Sequence, residues 1–398
     1  MSSARGGFQL AAGATRALAL VGEDAIRDRT GKALPLTPEA LADPKVMSEL
    51  LRRPVAAAHL TGVRFNSSNC QNFLVEVVDH DGASRTMYAK LPARELGPRV
   101  FANTVGYWKL ECAFCERVAP HVSVRVPEVH AVAERSSRFV LLLENVAALP
   151  GARMFVNADM AAGTTPEQAR RCLTAFAGLH AGFADLDRAQ QERLLPYALH
   201  TQLAPNKRAA MQTLNRVAVK RARKNAPDDV TPAIATTYER ALDQWDQLLA
   251  TWYGGPLTLV HGDSHLANCF EYATEDGPAV GLLDFQGVHW SKGIRDVAYF
   301  LIHSLDPDVL ATHESALIDH YLEAMAVRAV HLNPEQARAD YRAFSFQALQ
   351  VGVVAVGLGG FTERETTVQT MLRREIAAIE RLDFAGWLAS LPRFAPSG

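Results

Sequence analysis

Cysteine is scarce in this 398-residue chain, with five residues at 70, 112, 115, 172 and 269. So few, and an odd number, exclude a disulfide scaffold and point to a reducing cytoplasm. The pair Cys112-x-x-Cys115 has no second Cys or His pair at zinc spacing, and two cysteines on one helix face account for it. An excess of charge of one sign is also missing: 41 Lys and Arg against 43 Asp and Glu leave −2. That lacks the basic excess of a nucleic-acid-binding protein, so no nucleic-acid partner is expected. Long hydrophobic runs are absent too. Within the longest uncharged stretch, residues 344–361 carry two Gln, one Ser and four Gly, and they read as a buried core helix rather than a membrane span. Near the N-terminus Arg16 breaks the only apolar stretch, and Glu23 and Asp24 follow, so neither a secretory signal nor a membrane partner is expected. No internal repeat or low-complexity tract occurs.

What is present is ordinary globular material, 48% hydrophobic and 21% charged, enough for a large core. Residues 1–36, Gly/Ala-rich with mixed charge, read as a weakly ordered lead-in. Thr37-Pro38-Glu39 opens a short helix to about Arg52, with Thr as cap and Pro at the first helical position. Strands over 57–65, 72–78 and 85–91 then form an antiparallel meander, joined by the turns Asn66-Ser67-Ser68-Asn69 and His80-Asp81-Gly82. A helical stretch over 100–118 precedes two more strands, the second at 139–143. After Glu144 the pattern is mainly helical, with short strands at 257–260, 269–272 and 279–283. This order predicts an α+β chain of two lobes: a small antiparallel β-rich N-lobe over 37–145 and a larger, mainly helical C-lobe over 146–398.

The chemistry is concentrated in His261-Gly262-Asp263-Ser264-His265-Leu266-Ala267-Asn268, followed by Leu282-Leu283-Asp284-Phe285-Gln286. Phosphoryl transfer from a magnesium nucleotide needs such a set. One carboxylate orients the acceptor hydroxyl, while an Asn oxygen and a second carboxylate hold hard Mg²⁺ against the phosphates. Asp-x4-Asn with a strand-ending Asp sixteen residues beyond Asn268 is the spacing of a kinase catalytic loop and its metal-binding Asp. A zinc site drawn from His261, Asp263, His265 and His289 is the rival, but it leaves Asn268, Asp284 and Lys90 unexplained.

On these residues the sequence resembles the aminoglycoside phosphotransferase and choline kinase superfamily of the protein kinase-like fold. Asp284-Phe285-Gln286 and the trailing run from Gly293 to Leu301 look most like its ecdysteroid kinase-like branch, and the likeness spans roughly 37–370. The resemblance implies a bilobal fold and an ATP- and Mg²⁺-dependent small-molecule kinase, with Asp263 as catalytic base and Asn268 and Asp284 as metal ligands. His261 would brace the loop and Asp296 would anchor it. It also implies a strand-borne lysine at Lys90 meeting the phosphates, paired with Glu111 of the next helix, for which Glu95 and Glu116 compete. The turn at Ser67 and Ser68, which lacks a run of glycines, would cover the phosphates. Glu144 and Val146 would contact adenine through their backbone. His180 reads as a packed, hydrogen-bonded histidine.

Gly262 stands where protein kinases carry an Arg, and eleven residues separate Asp284 from Asp296. That is too few for an activation segment and a peptide platform, so the acceptor is read as a small hydroxylated molecule. His265, His289 and Trp290 are candidate walls of its site, with Phe344, Phe346 and 352–360 as a candidate apolar floor. Eight Lys and Arg without an acid between Arg193 and Pro227 argue against a polycationic acceptor. The alternative function is a catalytically silent nucleotide-binding scaffold on the same fold.

Overall fold

Alternation of side chains sorts the first sheet before any tertiary contact is considered. Its strands are β1 (Ala57–Phe65), β2 (Cys70–Val78), β3 (Ser84–Pro92), β4 (Val129–Arg135) and β5 (Arg138–Glu144), antiparallel in the order β1-β2-β3-β5-β4. Phe73, Val75, Val77, Met87, Ala89, Leu91, Val140 and Leu142 share one buried face, against Leu41 and Met47. Successive side chains on a strand point to opposite faces. Lys90 therefore faces the other way, paired in register with Leu141, whose side chain belongs with Phe139 to the helical core. The computed structural model describes residues 2–65, 70–200, 204, 207–359 and 365–391.

The helices are α1 (Ser2–Arg29), α2 (Pro44–Leu51), α3 (Leu96–Val105), α4 (Tyr107–Ala113), α5 (Asn157–Ala162), α6 (Pro166–Ala181), α7 (Arg188–Leu194), α8 (Arg208–Asn225), α9 (Pro232–Asp243), α10 (Trp245–Tyr253), α11 (Ile294–Ser304), α12 (Pro307–Ala326), α13 (Pro334–Leu358), α14 (Glu365–Arg381) and α15 (Phe384–Ser390). Short strands β6 (Arg153–Met154), β8 (Cys269–Thr274) and β9 (Gly277–Leu282) form a small sheet, and β7 (Thr258–Val260) pairs with β10 (His289–Ser291). The architecture is α+β as predicted, antiparallel sheet first and helices after. Most of α13 is buried, with Phe344 and Phe346 in the core. Among the described residues no helix is long and apolar enough to cross a membrane.

Two local expectations change. The helix predicted from Thr37 is split: Pro38–Ala42 is a 3-10 turn whose Thr37 side chain caps nothing, and α2 starts at Pro44 under the Asp43 side chain. Pro44 has no N–H to continue a helix but suits a first position, so it restarts one. The segment read as a weakly ordered lead-in is largely helix α1, packed along α8 and α3. Glycine here serves close approach: a Cβ on Gly6 would lie 2.0 Å from Thr213 Oγ1 and 2.4 Å from the Ala209 carbonyl. Gln9 accepts from the Ala210 N–H at 3.0 Å. At the other end Asp24, 1% exposed, accepts from the Ser137 N–H at 3.0 Å and from its hydroxyl, while Asp28 takes both terminal nitrogens of Arg138.

Asp24→Ala leaves the Ser137 N–H and hydroxyl without their acceptor and is expected to cost about 2 kcal/mol. Asp28→Ala, at a half-exposed carboxylate, is expected to cost under about 1 kcal/mol. Urea midpoints at an unchanged m-value check both.

Candidate active site

A single buried carboxylate shapes the loop after β7. Asp296, in the first turn of α11, is fully buried. It accepts from the His261 N–H at 2.5 Å, the Gly262 N–H at 3.1 Å, the Ser264 hydroxyl at 3.1 Å and Arg295 Nη1 at 3.0 Å, and His180 Nε2 lies 3.1 Å away. Burial would raise its pKa, but the His180 bond and the Arg295 charge win and hold the carboxyl well below the usual range. His180 is the packed histidine predicted, its Nδ1 2.9 Å from the Tyr321 hydroxyl.

His261 uses both ring nitrogens to join two loops. Nε2 donates to the Leu283 carbonyl at 2.7 Å, and Nδ1 accepts from the Asp263 N–H at 3.2 Å. It has no lone pair left for a metal, which overturns the zinc alternative. Among the described residues no group of three or more His, Cys, Asp and Glu is placed to hold an ion. Gly262 has φ +84°, and a Cβ there would lie 1.7 Å from the Gly287 carbonyl. The loop crossing thus leaves no room for the Arg of protein kinases.

Asp263 is held from three sides. Its Oδ1 accepts from the Tyr299 hydroxyl at 2.8 Å and lies 3.7 Å from His265 Nε2. Asn268 Nδ2 donates to the Asp263 carbonyl at 2.8 Å and approaches Oδ2 at 3.3 Å. Burial would raise this carboxyl, but His265, the Tyr299 hydroxyl and His261 bring it below its ordinary value.

Across the cleft, Lys90 of β3 meets Glu111 of α4 at 2.9 and 2.7 Å and Asp284 at 3.0 Å. The competing acids Glu95 and Glu116 are exposed. Burial alone would lower the Lys90 pKa, but Asp284 and Glu111 hold it well above its ordinary value. Burial in turn pushes Glu111 up to about 7, against the attraction of Lys90. Asp284 sits at φ +59°, an uncommon backbone for a non-glycine residue and one that clusters at functional sites.

The donor set fits magnesium. Asn268 spends its amide hydrogens on Asp263, so its Oδ1 is the atom left for a cation. The Leu283 N–H bonds the Asn268 carbonyl at 2.9 Å, which ties Asn268 beside Asp284. An amide oxygen and a one-third-exposed carboxylate are hard oxygen donors, too few for a dedicated cage and suited to an ion that shares itself with phosphates.

Ser67 and Ser68 lie outside the described residues. The Glu144 N–H is bonded to the Glu128 carbonyl at 2.8 Å, and its side chain is tied to Arg125 and the Glu128 N–H. Val146 is buried and opens a 3-10 turn. Of the three candidate acceptor walls, only His265 stands beside Asp263. Trp290 is 1% exposed and donates to the Leu195 carbonyl at 2.8 Å. His289 is buried, within 2.7 Å of the Gly287 carbonyl and stacked on His200 at 4.2 Å. Phe344 and Phe346 belong to the core, so none of these four walls or floors a cleft. The basic run is partly compensated, since Arg208 and Arg216 pair with Asp246 and Asp243, and Lys207 Nζ bonds the Val105 carbonyl at 3.1 Å. Sequence reasoning missed Tyr299, although its place one turn after Asp296 marks it as sharing a helix face.

The model of the ecdysteroid kinase-like family matches residues 73–333. No curated protein matches the chain by sequence. Among solved structures, a choline kinase from Cryptosporidium parvum Iowa II is similar at 12% identity and TM-score 0.49, over 84% of this chain and 94% of that one. An ethanolamine kinase from Plasmodium vivax follows at 12% and 0.47, over 82% and 81%. A microcompartment-associated aminopropanol kinase matches at 15% and 0.46, over 82% and 92%.

Burial, reinforced by Arg295, brings His289 from 6.5 down to about 4. Below pH 6.5 the unfolded chain takes up a proton that folded His289 refuses, so this contribution is intact above pH 6.5. It is lost as the pH falls towards 4, by up to about 3 kcal/mol. His289→Gln is expected to flatten the fall in urea midpoint between pH 7 and pH 4.5.

Proposed function

The chain belongs to the ecdysteroid kinase-like family, and from that premise we propose that it transfers the γ-phosphoryl group of Mg-ATP to a hydroxyl of a small molecule. The observation that carries this reading is the Lys90 ammonium, held dry between Glu111 and Asp284. A lysine and a carboxylate buried together, with a second, one-third-exposed carboxylate beside them, are costly to arrange. The cost is intelligible where the lysine must present its charge to phosphate oxygens.

In this mechanism Lys90 steadies the nucleotide phosphates while Glu111 holds Lys90 in place. Asn268 and Asp284 would hold magnesium, which when bound offsets the charge of the transferring group. Asp263 faces the acceptor and takes its proton. Asp296 and His261 fix the loop that carries Asp263, and His265 lies beside it, where the acceptor would enter. The short link from Asp284 to Asp296 and the glycine at 262 support a small acceptor over a protein.

An ATP-consumption screen over hydroxylated metabolites tests the reading, with Asp263→Ala as the blank. Turnover with the true acceptor is expected to drop by at least about 100-fold in that variant, and unchanged turnover would contradict the assignment. Mg-ATP is expected to raise the thermal midpoint of the wild type and to lose most of that effect in Asp284→Ala. Equal stabilisation of both proteins would refute the metal role of Asp284.

A further inference from the structure

Four residues of α11 line one face at helical spacing: Arg295, Asp296, Tyr299 and His303. Asp296 anchors the loop, and one turn later the Tyr299 hydroxyl reaches Asp263 Oδ1 at 2.8 Å. The phenol ring is pinned by the turns on either side. The Arg295 guanidinium lies 4.7 Å from its centroid and the His303 ring meets it edge-on at 4.1 Å. His303 is fixed in turn by fully buried Glu375, at 2.8 Å, whose other oxygen accepts from the Gly352 N–H at 3.1 Å. Tyr299 is 4% exposed, and its burial next to Asp263 holds its pKa well above the ordinary value, so the hydroxyl is a permanent donor.

A carboxylate on a free side chain rotates and offers either oxygen. Here Oδ1 is occupied by the phenol and crowded by His265, while among the described residues Oδ2 has only the long approach of Asn268. We propose that Tyr299 is a positioning residue for phosphoryl transfer, whose hydroxyl fixes the rotation of Asp263 and assigns Oδ2 as the oxygen that receives the acceptor proton. The proposal rests on the kinase reading above. Oδ2 takes the hydroxyl proton as the acceptor oxygen bonds to the γ-phosphorus. The bond from that phosphorus to the bridging oxygen breaks, and its electron pair leaves with ADP. Nothing else is consumed.

The test uses the full-length protein, Mg-ATP and water as acceptor, with phosphate release as the readout. Tyr299→Phe keeps the ring and its packing and removes one oxygen. It is expected to lower kcat about 10-fold, with the KM for ATP within about twofold and the thermal midpoint close to wild type. In an Asp263→Asn background, already slowed by at least about 100-fold, adding Tyr299→Phe is expected to change the rate by less than about twofold, since the two act as a unit. A Tyr299→Phe variant that keeps more than half of kcat, loses only ATP affinity, or multiplies its loss with that of Asp263→Asn overturns the proposal and leaves the kinase reading standing. A wild type without Mg-ATP turnover, or an Asp263→Asn variant that keeps it, overturns both.

Discussion

The carboxylate of Asp296 is the group on which the geometry of the site depends. An anion taken out of water must be met by donors on every side or it will protonate or pull the structure open. Here the donors are the backbone of 261 and 262, the Ser264 hydroxyl, Arg295 and His180. Satisfying the charge therefore fixes the path of the chain just before Asp263. It also draws α6, which carries His180, and α11 to the same point. The neighbouring His261 extends the constraint to the Leu283 carbonyl, so the loop of Asp263 and the strand end at Asp284 are set relative to one another by one contiguous network.

The second fixed point is electrostatic and spans the cleft. Lys90 comes from the β-sheet, Glu111 from a helix beyond it and Asp284 from the helical side. Neither Lys90 nor Glu111 would be stable alone at this depth, and Asp284, one-third exposed, completes the set. Each is tolerated because the others are there, so the sheet and the helical part are brought into register by charge as well as by apolar packing. Asp284 takes part at a positive φ, a region that Asp and Asn adopt more readily than other side-chain-bearing residues.

Much of this was legible in the sequence, for identifiable reasons. Alternating strands, turn residues and the spacing of Asp263, Asn268 and Asp284 are local signals, read without knowing what lies opposite. The Lys90–Glu111 pair needed family likeness, because nothing local separates Glu111 from Glu95 or Glu116. Burial does so only once the fold exists. Trp290 and His289 were misplaced because proximity in sequence to Asp284 says nothing of side-chain direction, and β10 turns both into the core. Tyr299 is not legible from the sequence, because an aromatic in an apolar helix reads as packing. Its hydroxyl becomes informative only when Asp263 arrives from 36 residues away. Glycine and alanine in 1–36 suggest weak order by composition, whereas in α1 Gly6 is the condition of close helix contact.

That helix has a mechanical consequence. Its 28 residues run about 42 Å at the rise of an α-helix. One end is bonded to α8 through Gln9 and the other to the β4–β5 turn through Asp24 and Asp28. The sheet is therefore joined to the helices by this member on the side of α3, as well as by the covalent chain after Glu144 and the Lys90–Asp284 pair. Rotation of the sheet about the cleft would have to slide α1 along its neighbours or break its bonds at Gln9, Asp24 and Asp28. Its travel is set by how far close-packed small residues slip before their contacts are lost.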